Sequence, residues 1–142
     1  MITINPYFNF KGNTEAAFNH YRSVFGGEFA TLQRYKDTPE AGSTPAAEQN
    51  LIMHIALPIG NGIILMGTDL LDSRGDKVIV GTNLQLSIST ESVEETDKIF
   101  TALAKGGKET MPLSDTFWGA YFGMCTDRFG VQWMVNYDKN VK

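Results

Sequence analysis

Cysteine is nearly absent from this chain: Cys125 is the only one in 142 residues. A single thiol excludes an intrachain disulfide and any multi-cysteine zinc site, and it suits a reducing compartment. Basic charge is also short. Twelve Lys and Arg stand against sixteen Asp and Glu, giving a net charge of −4 and a pI near 5.1. No stretch gathers Lys and Arg into a patch, so nucleic acid is not an expected partner. Long apolar runs are missing as well. The most apolar window, Leu51 to Met66, is broken by His54, Pro58, Gly60, Asn61 and Gly62, which is too interrupted for a bilayer span. Met1 to Pro6 carries no basic stretch leading into an apolar one, so neither an export signal nor a membrane association is expected, and cytoplasm is the expected location.

What is present is an ordinary globular composition, 42% hydrophobic and 20% charged, over a length that suits one domain spanning 1–142. A chain of this size buries roughly 68–70% of the surface its unfolded form exposes. Within it one pattern occurs twice. Gly26-Gly27-Glu28 closes one helix-like stretch and Gly106-Gly107-Lys108 closes another, 106 − 26 = 80 positions later. Strand-like segments with Gly-punctuated turns follow each pair, at Gly60-Asn61-Gly62 and Phe129-Gly130. A half-length repeat of this kind implies one supersecondary unit used twice, with module one at about 1–70 and module two at about 81–142.

In module one, Ile4, Phe8 and Phe10 alternate with Asn5, Tyr7 and Asn9, predicting a half-buried strand over 2–10. Asn13 is placed to cap a helix running to Phe25, with Ala17, Phe18, Tyr21, Val24 and Phe25 at helical spacing and Gly26 as its stop. A strand is predicted over 28–35. The Pro, Gly and Ser-rich stretch 36–50 is a long loop, of the kind that serves as a lid or mobile segment. Leu51, Met53, Ile55 and Leu57 then share one side of a strand, with His54 on the other, and a hairpin leads into 63–66. Residues 69–80 form a polar connection. Module two repeats the order. Leu84, Leu86 and Ile88 alternate, Ser92 to Glu95 forms a capping box, and Val93, Thr96, Phe100 and Leu103 share a helix face. Strands follow over 108–111, 119–125 and 131–137. Each half is thus β-α-β-β-β. The predicted fold class is α+β, two βαβββ modules forming a curved mixed sheet with helices on the convex face and the concave face left for a ligand.

The densest signal is Phe117-Trp118-Gly119-Ala120-Tyr121-Phe122-Gly123 followed by Asp127-Arg128-Phe129-Gly130-Val131-Gln132-Trp133-Met134. Asp-x-Phe-Gly between strands is a tight turn in which Asp bonds backbone and Gly takes positive φ. Trp133 reads as aromatic core, and Trp118, at a strand entry beside Gly119, as a ligand-facing residue. These residues carry a family resemblance. Together with Pro6-Tyr7, Gly12-Asn13 leading to Tyr21, Phe25-Gly26-Gly27-Glu28 and His54, the chain resembles the vicinal oxygen chelate superfamily of glyoxalase I, bleomycin-resistance proteins and extradiol dioxygenases. Within it the chain is similar to PhnB-like proteins over nearly its whole length, which implies the glyoxalase/bleomycin resistance fold.

The superfamily's enzymes take a metal ligand from the first and third strands of each half. That pattern falls here on Asn5 (or Pro6), His54, Asn83 and Met134. Only His54 is a strong ligand, since divalent metals at such sites want imidazole and carboxylate. The resemblance therefore implies a PhnB-like small-molecule-binding protein with no metal and no cofactor. It would be a homodimer with ligand sites between paired sheets, lined by Tyr7, His54, Gln85, Trp118, Tyr121, Gln132 and Met134, with Trp118 and His54 contributed by opposite halves of the repeat. His54 is a binding or general-base candidate. The alternative is a metal-dependent glyoxalase/dioxygenase-type lyase or oxidoreductase. Relatives are sometimes labelled demethylubiquinone methyltransferases, but the sequence holds no Gly-rich strand-loop-helix for a methyl donor. Three weaker signals carry no function: Gly60-Asn61-Gly62 is a hairpin turn, His20 reads as a surface helix residue, and Cys125 as a buried structural thiol.

Overall fold

A computed structural model describes residues 1–140. The chain divides into two compact units, Met1–Ile79 and Val80–Lys142. Unit one contains β1 (Tyr7–Phe10), α1 (Thr14–Phe25), β2 (Thr31–Arg34), β3 (Ile52–Gly60) and β4 (Ile63–Asp69). Unit two contains β5 (Leu86–Ser89), α2 (Val93–Ala104), β6 (Lys108–Asp115), β7 (Ala120–Thr126) and β8 (Gln132–Asp138). Each unit builds its own four-stranded mixed sheet, ordered β1-β4-β3-β2 and β5-β8-β7-β6. In each the first strand runs parallel to the last, and the other pairs are antiparallel. The repeat seen in the sequence is therefore a repeat of topology. No helix among the described residues is long and apolar enough to cross a membrane.

In unit one α1 lies directly on the sheet. A Cβ on Gly67 would come within 2.7 Å of Phe18 Cε1, so glycine is required there for the helix to seat. Ile55 is registered opposite Gly67, and cross-strand partners share a face. Ile55 and Leu57 therefore join Phe18 and Tyr21 in the core, all fully buried. Burying each such side chain contributes about 1.5–3 kcal/mol. The expected run Leu51, Met53, Ile55, Leu57 needs one correction. Gln33 pairs with His54 and Arg34 with Ile52, so Met53 is the extra residue of a β-bulge. A bulge resets the alternation, and Ile52, fully buried, takes the core place that Met53 was expected to hold.

Several boundaries also differ from expectation. β1 begins at Tyr7 instead of residue 2, and Ile4 is 88% exposed because no neighbouring strand meets it. Leu84 likewise lies outside β5 and is exposed. The 36–50 stretch, expected as a lid or mobile loop, is wound into single helical turns at Tyr35–Asp37, Ala41–Ser43 and Ala46–Glu48. Gln49 Nε2 donates to the Ala41 and Thr44 carbonyls, each at 3.1 Å, and Tyr35 Oη donates to the Asp69 carbonyl at 2.8 Å. The Gln49 bonds satisfy the loop internally, and the Tyr35 bond ties its start to the end of β4. His20, expected on the surface, is 8% exposed and packs beside Tyr21.

Asp69 ends β4 and is buried, where a polar connection was expected. Its Oδ1 accepts from the Gly12 and Thr14 amides at 2.8 and 3.1 Å and from Thr14 Oγ1 at 2.7 Å. Its Oδ2 accepts from the Ile52 amide at 2.9 Å. Asn13 occupies the N-cap position of α1 but makes no side-chain cap bond. One orphan amide of this helix start, that of Thr14, goes to a carboxylate fifty-five positions away. In unit two the cap is local, as expected: Ser92 Oγ accepts from the Glu95 amide at 3.1 Å, and Glu95 Oε1 accepts from the Glu91 amide at 3.0 Å.

In unit two a Cβ on Gly123 would lie 2.9 Å from Phe100 Cε1, which marks the helix face of that sheet. Gly123 pairs with Val135, and Cys125 with Trp133, so Val135, Cys125 and Trp133 lie beneath α2, all buried. Asp127 holds the following turn as expected. Its Oδ1 accepts from the Phe129 and Val131 amides at 2.8 and 3.0 Å, and its Oδ2 accepts from Trp133 Nε1 at 2.9 Å. Gly130 supplies a φ of 91°.

Candidate functional site

The register of unit one decides which residues share the face away from α1. Tyr7 is level with Met66, Met66 with Ala56, and His54 with Gln33. Tyr7, His54, Gln33, Met66 and Thr68 therefore stand on one side, opposite Ile55 and Gly67. Tyr7 and His54 meet there. Their rings stack with centroids 5.8 Å apart, and Tyr7 Oη lies 3.3 Å from His54 Nδ1. Partial burial raises the Tyr7 phenol above its ordinary value, Tyr35 adds to the rise, and Thr68 offsets part of it. The phenol therefore keeps its proton across the neutral range. Gln33 and Thr68 join this face without being among the residues expected above. The strand over 28–35 carries no clear alternation, so only its register with β3 places Gln33 opposite His54.

In unit two the corresponding face carries Phe122, Met124, Met134 and Ser87 by register. Trp118 packs edge-on to Phe122 with centroids 6.2 Å apart and is 55% exposed. The space beside Gly119 is filled: an added Cβ there would collide with the Asn140 side-chain amide. Tyr121 corrects the expected set. It is registered with Tyr137, shares parity with Gly123, and donates from Oη to Asp97 Oδ1 of α2 at 2.6 Å. It stands on the helix side, and that bond raises its phenol pKa, burial adding to it. Gln132 is committed to structure, its Nε2 donating to the Gly81 and Leu84 carbonyls at 3.2 and 3.1 Å. Gln85 Oε1 is buried with no hydrogen-bond partner among the described residues.

The positions that correspond to metal ligands do not fit a divalent metal. Asn5 Oδ1 accepts from the Ile64 amide at 2.9 Å, so it serves the sheet. His54 Nδ1 faces Tyr7 Oη. Asn83 lies outside any strand, and Met134 offers only a thioether. Among the described residues no group of three or more His, Cys, Asp or Glu could hold a metal ion.

The sequence profile of the 3-demethylubiquinone-9 3-methyltransferase family matches residues 2–136. The chain belongs to this family. Solved relatives agree. Protein PA1353 of Pseudomonas aeruginosa is 37% identical, with a TM-score of 0.85 over 97% of this chain and 98% of that one. The PhnB protein of Bacillus cereus is 28% identical, with a TM-score of 0.76 over 96% and 99%. A glyoxalase/bleomycin resistance protein/dioxygenase family enzyme of Burkholderia phytofirmans, 18% identical with a TM-score of 0.59 over 93% and 96%, shares the fold. The chain is thus similar to a PhnB protein, and it has the glyoxalase/bleomycin resistance fold.

The family's description implies a methyl donor, and the residues present do not fit one. Nucleoside cofactors commonly use the free amides of a helix that follows a strand. After β1 the amides of Gly12 and Thr14 are taken by Asp69, and after β5 the Glu95 amide of α2 is taken by Ser92.

Proposed function

We propose that this chain is a cytoplasmic small-molecule-binding protein that works without a divalent metal. The observation that carries this is the Tyr7–His54 pair. It sets two hydrogen-bonding rings, stacked and partly exposed, on a sheet face that the module's own helix leaves free. Mostly apolar surface with a few convergent polar groups is the usual lining of a ligand site. Met66 supplies further apolar surface and Gln33 a further polar group on the same face. The single strong metal ligand, His54, supports the metal-free reading over the lyase alternative. We propose as well that the protein is a homodimer, since each sheet ends in two edge strands, β1 and β2 or β5 and β6, and exposed edges favour cover.

The test is a thermal-shift and ligand-observed NMR screen of purified protein against planar aromatic compounds. At least one compound should raise Tm, and Tyr7→Phe and His54→Ala should each weaken its binding at least about tenfold, about 1.4 kcal/mol. A screen without binders, or binders indifferent to both substitutions, overturns the reading. Methyl transfer has its own check: S-adenosylmethionine should give no Tm shift at millimolar concentration.

A further inference from the structure

We infer that the Tyr7–His54 site recognises its ligand through an acceptor oxygen, a carbonyl or an oxyanion, with His54 Nε2–H as the donor. This rests on the small-molecule reading above and adds the chemical class of the ligand.

The inference begins with the 3.3 Å contact between Tyr7 Oη and His54 Nδ1. In a neutral pair one of the two atoms must donate. A phenol is the stronger donor and an imidazole nitrogen the stronger acceptor, as their ordinary pKa values of about 10 and about 6.5 reflect. The phenol proton therefore points at Nδ1. A neutral imidazole carries one ring proton, so an accepting Nδ1 leaves that proton on Nε2. No described residue takes it up: Nδ1 is the only side-chain atom of His54 with a hydrogen bond among the described residues. His54 is thus held as a donor, which is the reverse of a general base.

The surroundings favour the same ligand chemistry. The other strand residues that share this face by register are Asn9, Thr31, Gln33, Ala56, Pro58, Ile64, Met66 and Thr68, and none is acidic. The one carboxylate within these four strands, Asp69, is engaged elsewhere and accepts the Gly12, Thr14 and Ile52 amides; of those three residues beyond a strand end, Glu28 pairs with Arg22, Asp37 accepts the Arg34 amide and Asp72 pairs with Lys11. No carboxylate of this face competes for Nε2–H or repels an oxyanion. Gln33, directly across the strand pair from His54, adds an amide that can donate beside it.

Two measurements test this. Long-range proton–nitrogen correlation on histidine-labelled protein reads the tautomer directly. His54 should show a protonated Nε2 and a bare Nδ1 at pH 8, and Tyr7→Phe should shift it toward a mixture. A protonated Nδ1 overturns the inference whatever the protein binds. The second measurement uses a matched pair of probes, 4-nitrophenolate and 4-nitroanisole, in equilibrium dialysis at pH 8.5. The phenolate should bind at least about tenfold tighter, despite the chain's net charge of −4, and His54→Phe should erase the preference. Equal binding of the two probes, or a preference that survives His54→Phe, overturns the inference. Binding of neither probe by a protein that binds other planar compounds overturns the inference alone. Binding of neither by a protein that also fails the screen overturns the small-molecule reading with it.

Discussion

Asp69 shows how much one side chain can hold. It joins the loop before α1, the first residue of that helix and the start of β3. Removing it leaves the buried Thr14 and Ile52 amides and the Thr14 hydroxyl without acceptors, each worth about 1–3 kcal/mol, and the part-buried Gly12 amide with them. Asp69→Ala should therefore lower unfolding free energy by at least about 3 kcal/mol in urea melts. His54 gives the contrast. It is partly exposed on the face away from α1 and fills no tight core space, so His54→Ala should stay within about 1 kcal/mol of wild type. Val135→Ala, beneath α2 and fully buried, should cost about 1–3 kcal/mol. The reverse order would mean that the two faces are exchanged. Cys125 provides a pH signature. Burial, with Asp127 and Glu109 adding to it, pushes its thiol from 9.0 up to about 11. Between these values the unfolded chain has released the proton and the folded chain has not. Cys125's contribution to stability is full below pH 9 and is lost as pH rises to about 11, at no more than about 1.4 kcal/mol per pH unit. Cys125→Ala should show a shallower decline than wild type across that window in denaturant titrations.

The two helices are equal in length and differ in how they start. α2 carries its cap in adjacent sequence, through Ser92 and Glu95. Ser92→Ala should cost about 1 kcal/mol by chemical denaturation. α1 borrows its cap from the end of β4, and Asn13, with no cap bond of its own, should be replaceable by Ala at almost no cost. A loss at Asn13 equal to that at Ser92 would contradict the assignment of the α1 cap to Asp69. The capping box was legible at 92–95 because its spacing is local. The α1 cap was not, because its two partners are fifty-five positions apart. The same reason explains Met53. Alternation along one strand places a residue correctly only until a bulge resets the parity, and the bulge is set by pairing with the neighbouring strand.

At the scale of the whole molecule, the proposed dimer and the metal-free state are both open to direct measurement. Light scattering at micromolar concentration should give twice the 15.7 kDa chain mass, and a monomer would remove the homodimer. Elemental analysis of untagged protein should find well under one equivalent of Zn, Ni, Mn or Fe, and chelation should leave Tm unchanged, because a structural metal would couple to folding. Near-stoichiometric metal would favour the lyase instead.

The sequence by itself determined the doubled β-α-β-β-β order, the helix ends at Gly26 and Gly106, the Asp127 turn, the core place of Trp133 and the family. Each rests on local periodicity or on a motif whose partners lie a few residues apart. The tertiary structure decided which side chains meet. Asp69 became a structural centre, Tyr121 was drawn to Asp97, Gln132 was committed to the 81–84 backbone, and Gln33 was set across from His54. The Tyr7–His54 contact joins residues forty-seven positions apart. Their parities in separate strands made it geometrically allowed, but only the pairing of β1 with β4 and of β4 with β3 brings the two rings together.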